Sequence, residues 1–202
     1  MKIFLFFLVF VFWIAALCFA DNFCLIIDDF EGLISGGPDG TVDFGAGGGS
    51  AVEVAAATDI KHSGKQSLKI AYDAVPGGYM WVARGFGLDA KNAGWLVKLE
   101  DKDWSKFNAF TFYMYGSDSK AQIAFDIKDN GNEMWRFMLE DNFKGWKRID
   151  LPFNEFICRS DWQPDNADKN ANLDFPIQSF QFEPRPEAKG TLYFDDAGLI
   201  KK

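Results

Sequence analysis

The chain predicts an all-β fold, a jelly-roll β-sandwich of two antiparallel sheets, and three observations carry that prediction. Short runs of alternating apolar and polar residues recur between turn signals. Beyond the first twenty residues no long stretch shows the i, i+3, i+4, i+7 spacing of an amphipathic helix. A hydrophobic content of 48% and an aromatic content of 17% over 202 residues supply enough apolar surface for one packed core.

Residues 1–20 stand apart from that pattern. After Met1 and Lys2, Ile3 to Ala20 run IFLFFLVFVFWIAALCFA without a charge, and Asp21-Asn22 opens a polar chain. A short basic start, an apolar middle and the small Ala20 read as a secretory signal peptide. Eighteen apolar residues also reach the length of an uncleaved anchor. The small Cys18 and Ala20 and the missing basic stop-transfer cluster favour cleavage, and bulky Leu17 argues against a lipoprotein cut before Cys18. The expectation is one domain over residues 21–202, secreted or held in a periplasm or at the cell surface, with no membrane contact after cleavage.

Seven strands follow in order: Ser67 to Tyr72, Ala109 to Tyr115, Ala121 to Lys128, Glu133 to Leu139, Trp146 to Leu151, Ile177 to Glu183 and Thr191 to Phe194. Asp129-Asn130-Gly131-Asn132 joins two of them, and its Asn-Gly step, which takes positive φ cheaply, marks a hairpin. Seven of the 19 glycines fall between Gly36 and Gly49. That stretch reads as a flexible surface loop, because a phosphate cradle needs a following helix and a Lys-Ser or Lys-Thr step.

Charge and cysteine usage narrow the function. A formal net charge of −8 repels nucleic acid. A single histidine, His62, with three cysteines excludes a zinc cluster built from this chain's side chains. Cys24 and Cys158 remain after the leader; exported, they either bridge, for roughly 4 kcal/mol, or stay as buried thiols.

Strand alternation then separates a core face from an outer one. In Ala121 to Lys128, Ile123, Phe125 and Ile127 share a face opposite Gln122, Ala124, Asp126 and Lys128; in Ile177 to Glu183, Phe180 and Phe182 oppose Ser179, Gln181 and Glu183. A sheet face of amides and carboxylates bordered by aromatic rings suits a neutral polyhydroxylated ligand, whose C–H faces stack on rings while its hydroxyls meet polar groups. Arg159-Ser160-Asp161-Trp162-Gln163-Pro164 adds a forked donor, a carboxylate and a large ring within four residues. The plain alternatives are a surface ion pair for Arg159 with Asp161 and a core plug for Trp162.

Several elements together resemble a family 11 carbohydrate-binding module, one of the galactose-binding-like jelly rolls. They are Asp28-Asp29-Phe30-Glu31-Gly32, Ser63-Gly64-Lys65-Gln66-Ser67-Leu68, Gly78-Tyr79, Asp103-Trp104-Ser105-Lys106, Trp146 through Leu151-Pro152-Phe153, Arg159 to Pro164, and Phe194-Asp195-Asp196. The resemblance runs in order from about Leu25 to Ile200, and Pro-Phe followed by Arg-x-Asp-aromatic-Gln-Pro is its most specific part. It implies a non-catalytic sandwich whose concave face holds one β-glucan chain, mixed-linked β-1,3-1,4 or β-1,4. The family's ligands fall on Arg159, Asp161 and Trp162, with Trp in place of the usual Tyr, and a stacking Tyr falls on Tyr79. Gln178 stands where a ligand Asp is expected, Pro184 where a Tyr is, and Gly131 where an acid is, with Asp129 nearby as its replacement. The resemblance also implies a structural calcium away from the sugar, with Glu31, Asp195 and Asp29 as ligands.

Three functions follow from this reading. The first is an exported β-glucan-binding protein, with a separate glycoside hydrolase as a partner. The second is an envelope or assembly protein that kept the sandwich and lost the sugar. The third is a jelly-roll glycoside hydrolase, whose two carboxylates would come from Asp126, Asp129, Glu133, Asp161 and Glu183.

Overall fold

The computed structural model describes residues 24–201, so the leader expected at 1–20 lies outside the described residues. Twelve strands run in chain order: β1 (Cys24–Asp28), β2 (Asp43–Gly47), β3 (Ala51–Ala57), β4 (Ser67–Ala74), β5 (Tyr79–Gly85), β6 (Ala109–Ser117), β7 (Gln122–Lys128), β8 (Met134–Glu140), β9 (Lys144–Pro152), β10 (Ile157–Cys158), β11 (Ser179–Pro184) and β12 (Ala188–Ile200). They form two six-stranded antiparallel sheets. The first has the order β3-β4-β12-β6-β9, with β1 also on β12; the second has the order β10-β8-β7-β11-β5-β2. Among the described residues, helix is confined to three single turns at Leu99–Asp101, Trp104–Lys106 and Phe153–Glu155. No helix among them is long and apolar enough to cross a membrane.

The all-β, two-sheet expectation holds, and each of the seven expected strands overlaps an observed one. The glycine-rich stretch is the main correction, because Asp43–Gly47 is a strand on the edge of the second sheet, paired along its length with β5. Glycines carry no side-chain pattern to read, and the pairing is supplied by β5. The hairpin at Asp129 to Asn132 forms as expected between β7 and β8, but its positive φ, 63°, falls on Asn132 and not on Gly131.

Phenylalanine fills the space between the sheets. Phe110, Phe112 and Phe194 come from the first sheet, Phe125, Phe180 and Phe182 from the second, and all six are fully buried. Phe182 and Phe194 stack at 3.6 Å, and Phe125 lies 5.0 Å from both Phe110 and Phe112. Offset and edge-on ring pairs of this kind add to the burial of apolar area. One polar tie crosses the same interior: Arg84 of β5 donates from Nε and Nη2 to the buried Asp28 of β1, at 2.6 and 3.0 Å. Cys24 lies in the first sheet and Cys158 in the second, and both are free thiols.

The long β12 changes neighbours part-way along one edge. Its residues 188–194 pair with β4 and its last turns of strand pair with β1, and at the change Asp196 takes φ 47°. The gap is closed by the loop before β4, whose His62 and Ser63 backbone N–H groups donate to the buried Asp195 Oδ2 at 2.8 and 3.2 Å. Imidazole Nδ1 of His62 meets Asp196 Oδ2 at 2.8 Å, and its ring stacks on Tyr113 at 3.4 Å.

Two outcomes are expected from this packing. Phe125→Ala removes the ring that touches both sheets and should cost about 3 to 5 kcal/mol in chemical unfolding; a loss under 1 kcal/mol would show a poorly packed centre. Burial pushes Asp195 up to about 6 from 3.8, so the folded chain holds that proton more tightly than the unfolded one. Its contribution is complete below about pH 4 and is lost as pH rises through about 6. Asp195→Asn, which keeps an oxygen for both N–H groups, should flatten that part of the melting temperature curve, and an unchanged slope would count against it.

Candidate functional site

The register of the second sheet decides which side chains share its outer face. Ala83, Gln181, Asp126 and Arg136 are successive Cα partners across β5, β11, β7 and β8, and Ile157 of β10 follows Arg136. Side chains two residues away along each strand point the same way. Tyr79 and Trp81 therefore lie on the face that carries Glu183, Gln181, Asp126, Arg136 and Met138, opposite the face that buries Phe125, Phe180 and Phe182.

The middle of this face is an ionic floor. Asp126 is fully buried although it points away from the core. Arg136 forks onto it through Nε and Nη2 at 2.7 and 2.8 Å, Arg159 Nη1 reaches it at 2.8 Å, and Gln181 Nε2 at 3.2 Å. Arg136 Nη2 also donates to Glu183 at 2.6 Å, and Arg185 closes on the same carboxylate. Burial raises the Glu183 carboxyl above its ordinary range despite these cations. Three guanidiniums and the acids Asp126, Glu183 and Asp161 leave the floor without net charge.

Arg159 joins the floor to the exposed edge. Its Nε and Nη2 hold Asp161 in a two-pronged pair at 3.0 and 2.9 Å, and the Trp162 ring stands 5.5 Å from the guanidinium carbon. Asp161 is 54% exposed, and the Arg159 hydrogen bonds hold its carboxyl down at about 2. Trp162 is 54% exposed, so it is not a core plug. Gln163 fixes the segment's backbone by exchanging hydrogen bonds with both main-chain groups of Met134, at 2.7 and 3.0 Å. Arg159 itself is only 8% exposed, and each of its three nitrogens is spent on a carboxylate. Arg159, expected as a sugar ligand, turns its three nitrogens to carboxylates and so positions Asp161 and backs Trp162.

Across the sheet, Tyr79 and Trp81 form a second aromatic unit. Their rings are parallel to within 10° with centroids 6.3 Å apart. A Cβ added at Gly45 would stand 2.5 Å from the Trp81 ring, and one at Gly47 2.4 Å from Tyr79. These glycines are their Cα partners on β2. The rings thus lie over bare backbone on the edge strand, and Trp81 Nε1 is fastened to Asp43 Oδ1 at 2.9 Å. Tyr79 is 60% exposed.

The structure therefore brings Tyr79, Arg159, Asp161 and Trp162 to one face. Asp129 and Gln178 do not belong to it. Asp129 is fully buried, and its two oxygens accept from the backbone N–H of Glu133 and Asp174 and from the indole of Trp135, at 2.8, 3.2 and 3.0 Å. It pins the hairpin. Gln178 precedes β11 in the opposite parity to Gln181, and its amide donates to Asn130 O at 3.3 Å. Pro184 is buried, in the parity of Phe182. Trp81, Arg136 and the two glycines were not named from the sequence, because Tyr-Met-Trp-Val is apolar throughout and shows no alternation that would assign its faces.

The calcium expectation on Glu31, Asp195 and Asp29 fares differently. Glu31 Oε1 accepts from the backbone of Lys65 and Gln66 at 2.8 and 3.2 Å, Asp195 from His62 and Ser63, and Asp29 Oδ1 from Glu31 N at 3.1 Å. The Gln66 amide nitrogen donates at 2.7 Å to both Phe30 O and Gly32 O, filling the space between those carbonyls. Among the described residues no three His, Cys, Asp or Glu side chains form one cluster. These acids pin the 62–66 loop at its two ends.

With this geometry established, comparison with known proteins places the chain. The carbohydrate binding domain of family 11 matches residues 23–202. The chain belongs to that family. Endoglucanase H of Acetivibrio thermocellus is 28% identical over 183 residues, 87% of this chain but 18% of the enzyme, so the chain spans under a fifth of that relative. The family 11 module of the cellulosomal cellulase Lic26A-Cel5E of Clostridium thermocellum shares the fold at 22% identity and a TM-score of 0.67, covering 90% of this chain and 96% of that one. A family 11 module from the same organism, in complex with a β-1,3-1,4-mixed-linked tetrasaccharide, matches equally, at 22% identity and 0.67, over 88% of this chain and 95% of that one.

The glycine bed under the rings gives a direct test. Gly45→Val should push the Trp81 indole off β2 and break its bond to Asp43, moving the Trp81 indole N–H resonance and speeding its solvent exchange. A resonance that stays in place would mean the ring does not rest there.

Proposed function

We propose that this chain is a non-catalytic, exported β-glucan-binding domain that lays one neutral glucan chain, mixed-linked β-1,3-1,4 or β-1,4, across the outer face of the second sheet. The observation that carries the reading is a pair of aromatic units, exposed Tyr79 beside half-buried Trp81 and exposed Trp162 backed by Arg159, on one face and separated by a floor of zero net charge. Rings take the apolar faces of successive sugars, and the open carboxylate of Asp161 accepts from hydroxyls. A floor whose charges are paired offers an uncharged polysaccharide hydrogen-bonding groups without an ion to be left unpaired. The family and the tetrasaccharide complex of a relative support the same ligand class.

Catalysis is disfavoured by the way these carboxylates are engaged. A glycosidase needs one carboxyl that carries a proton to the leaving oxygen. Asp161, at about 2, is ionised at working pH; burial raises Glu183, Asp129 and Glu133, but Glu183 is engaged by Arg136 and Arg185, Asp126 by Arg136 and Arg159, Asp129 by the Glu133 and Asp174 backbone and the Trp135 indole, and Glu133 by the Ala171 backbone. A separate or linked glycoside hydrolase as partner accords with the endoglucanase relative.

Affinity electrophoresis in barley β-glucan tests the reading. Native protein should be retarded, and Trp162→Ala and Trp81→Ala should each lose about 1 to 2 kcal/mol of affinity, roughly 5- to 30-fold. Native protein that migrates freely on every soluble glucan would instead favour an assembly role without sugar, and reducing ends released from the glucan would favour the hydrolase.

A further inference from the structure

The first sheet turns rings outward as well as inward. Leu192, Phe194, Phe112 and Met114 face the core, and Tyr193, Tyr113 and Tyr115 alternate with them on the opposite side. Register sets four outward residues side by side. Lys69 of β4, Tyr193 of β12, Tyr115 of β6 and Trp146 of β9 are successive Cα partners, a straight row across three strand spacings, roughly 14 Å. Tyr115 lies at 75° to Trp146 and 84° to Tyr193, with centroids 5.5 and 5.9 Å away. In the adjoining row His62 lies flat on Tyr113 at 3.4 Å, and its ring comes within 5.8 Å of Trp146. The five rings make one continuous patch on a face that an antiparallel sheet ordinarily leaves polar.

The polar groups around the patch are of two kinds. Its charges are paired with one another: Arg148 with Asp150 at 2.8 Å, His62 with Asp196 at 2.8 Å and Lys189 with Asp73 at 2.6 Å. The phenol groups of Tyr113, Tyr115 and Tyr193 and the indole N–H of Trp146 differ. Among the described residues none of them is hydrogen-bonded to protein, and none is a buried group left without a partner, so they open to solvent.

We propose that this patch is a second glycan site, on the opposite side of the sandwich from the trough, which takes a neutral, extended pyranose chain. Rings offer surface to the C–H faces of sugars, and three phenols and an indole N–H meet their hydroxyls. Paired charges leave no free ion to select a charged ligand, and a net charge of −8 repels a polyanion. A second copy of the chain would need more area. Four half-buried rings of about 200 Å² each leave roughly 300 Å² open, against about 800 Å² per partner in a specific protein interface. The two sites share no residue and face away from each other, so one domain holds two chains, and this site does not depend on the trough.

Heteronuclear NMR of the protein, titrated with a mixed-linked gluco-hexasaccharide and with cellohexaose, separates the two faces by their indole N–H resonances. With at least one of these sugars the Trp146 signal and the Tyr115 and Tyr193 backbone amides should shift to saturation, and should do so equally in Trp162→Ala. Trp146→Ala should weaken the binding seen at those amides about tenfold and leave the titration of Trp162 unchanged. Trp146→Phe keeps a ring against Tyr115 and should weaken it less, at an unaltered melting temperature. A Trp146 signal unmoved by both sugars while Trp162 responds would overturn the second site and leave the trough standing. Shifts at Trp146 that vanish in Trp162→Ala would overturn it too, because they would be transmitted from the trough. Movement at Trp146 without any at Trp81 or Trp162 would uphold it and overturn the trough, and no movement on either face would sink both.

Discussion

Asp126 is the constraint around which the second sheet is arranged. It lies on the outward face of a central strand, fully buried, where an unpaired carboxylate would cost several kcal/mol of lost hydration. Two guanidiniums and an amide close over it. Once Arg159 is drawn down onto Asp126, its remaining nitrogens can only face the next acid, and Asp161 is thereby fixed in direction and kept ionised. Trp162 follows in sequence and stands against the guanidinium that has just been immobilised. The exposed ring and the exposed acid inherit their positions from a charge that a ligand never meets. Removing one partner of such a buried cluster costs more than the cluster contributes, typically 3 to 5 kcal/mol, so its members act as a unit.

The opposite end of the face is built by a different device. Tyr79 and Trp81 are large side chains on the same side of one strand, and they need lateral room. β2 supplies it by placing Gly45 and Gly47 directly beside them. A cross-strand aromatic and glycine pair shields the bare backbone of an edge strand while the strand gives the ring a close seat. The cost is local stability, since glycine loses more chain entropy on folding than other residues. The structure tolerates that cost on an outer strand, away from the phenylalanine core.

Much of this was legible in the sequence where alternation was strict. The faces of β7 and β11 follow from Ile123, Phe125 and Ile127 and from Phe180 and Phe182, and all five are buried as that pattern requires. The Arg159 to Pro164 segment was legible because its chemistry is concentrated within a few residues. β2 was not, since its strand character comes from its neighbour and not from its own side chains. Asp129 looked available because nothing local shows that Trp135 and the Asp174 backbone would consume both its oxygens. Gln178 was named only because the resemblance puts a ligand Asp there; strand parity by itself pointed to Gln181, and Gln181 is the amide that reaches the floor. Glu31 and Asp195 both reach the 62–66 loop. Their partners, the backbone N–H groups of one loop, carry no sequence signal at all.

In the proposed glucan-binding reading, the two halves of the face divide the work of recognition. Rings with few rotatable bonds give contact area at low entropic cost, but every sugar has an apolar side, so rings alone select weakly. Direction must come from groups that cannot adjust. Asp161 is such a group because Arg159 holds both its oxygens, leaving its outward lone pairs aimed along fixed lines. A free carboxylate on the same loop would sample rotamers and meet any hydroxyl. The buried network therefore converts a flexible acid into an oriented one, and under the proposed function this would link the interior of the second sheet to the choice of ligand at its surface.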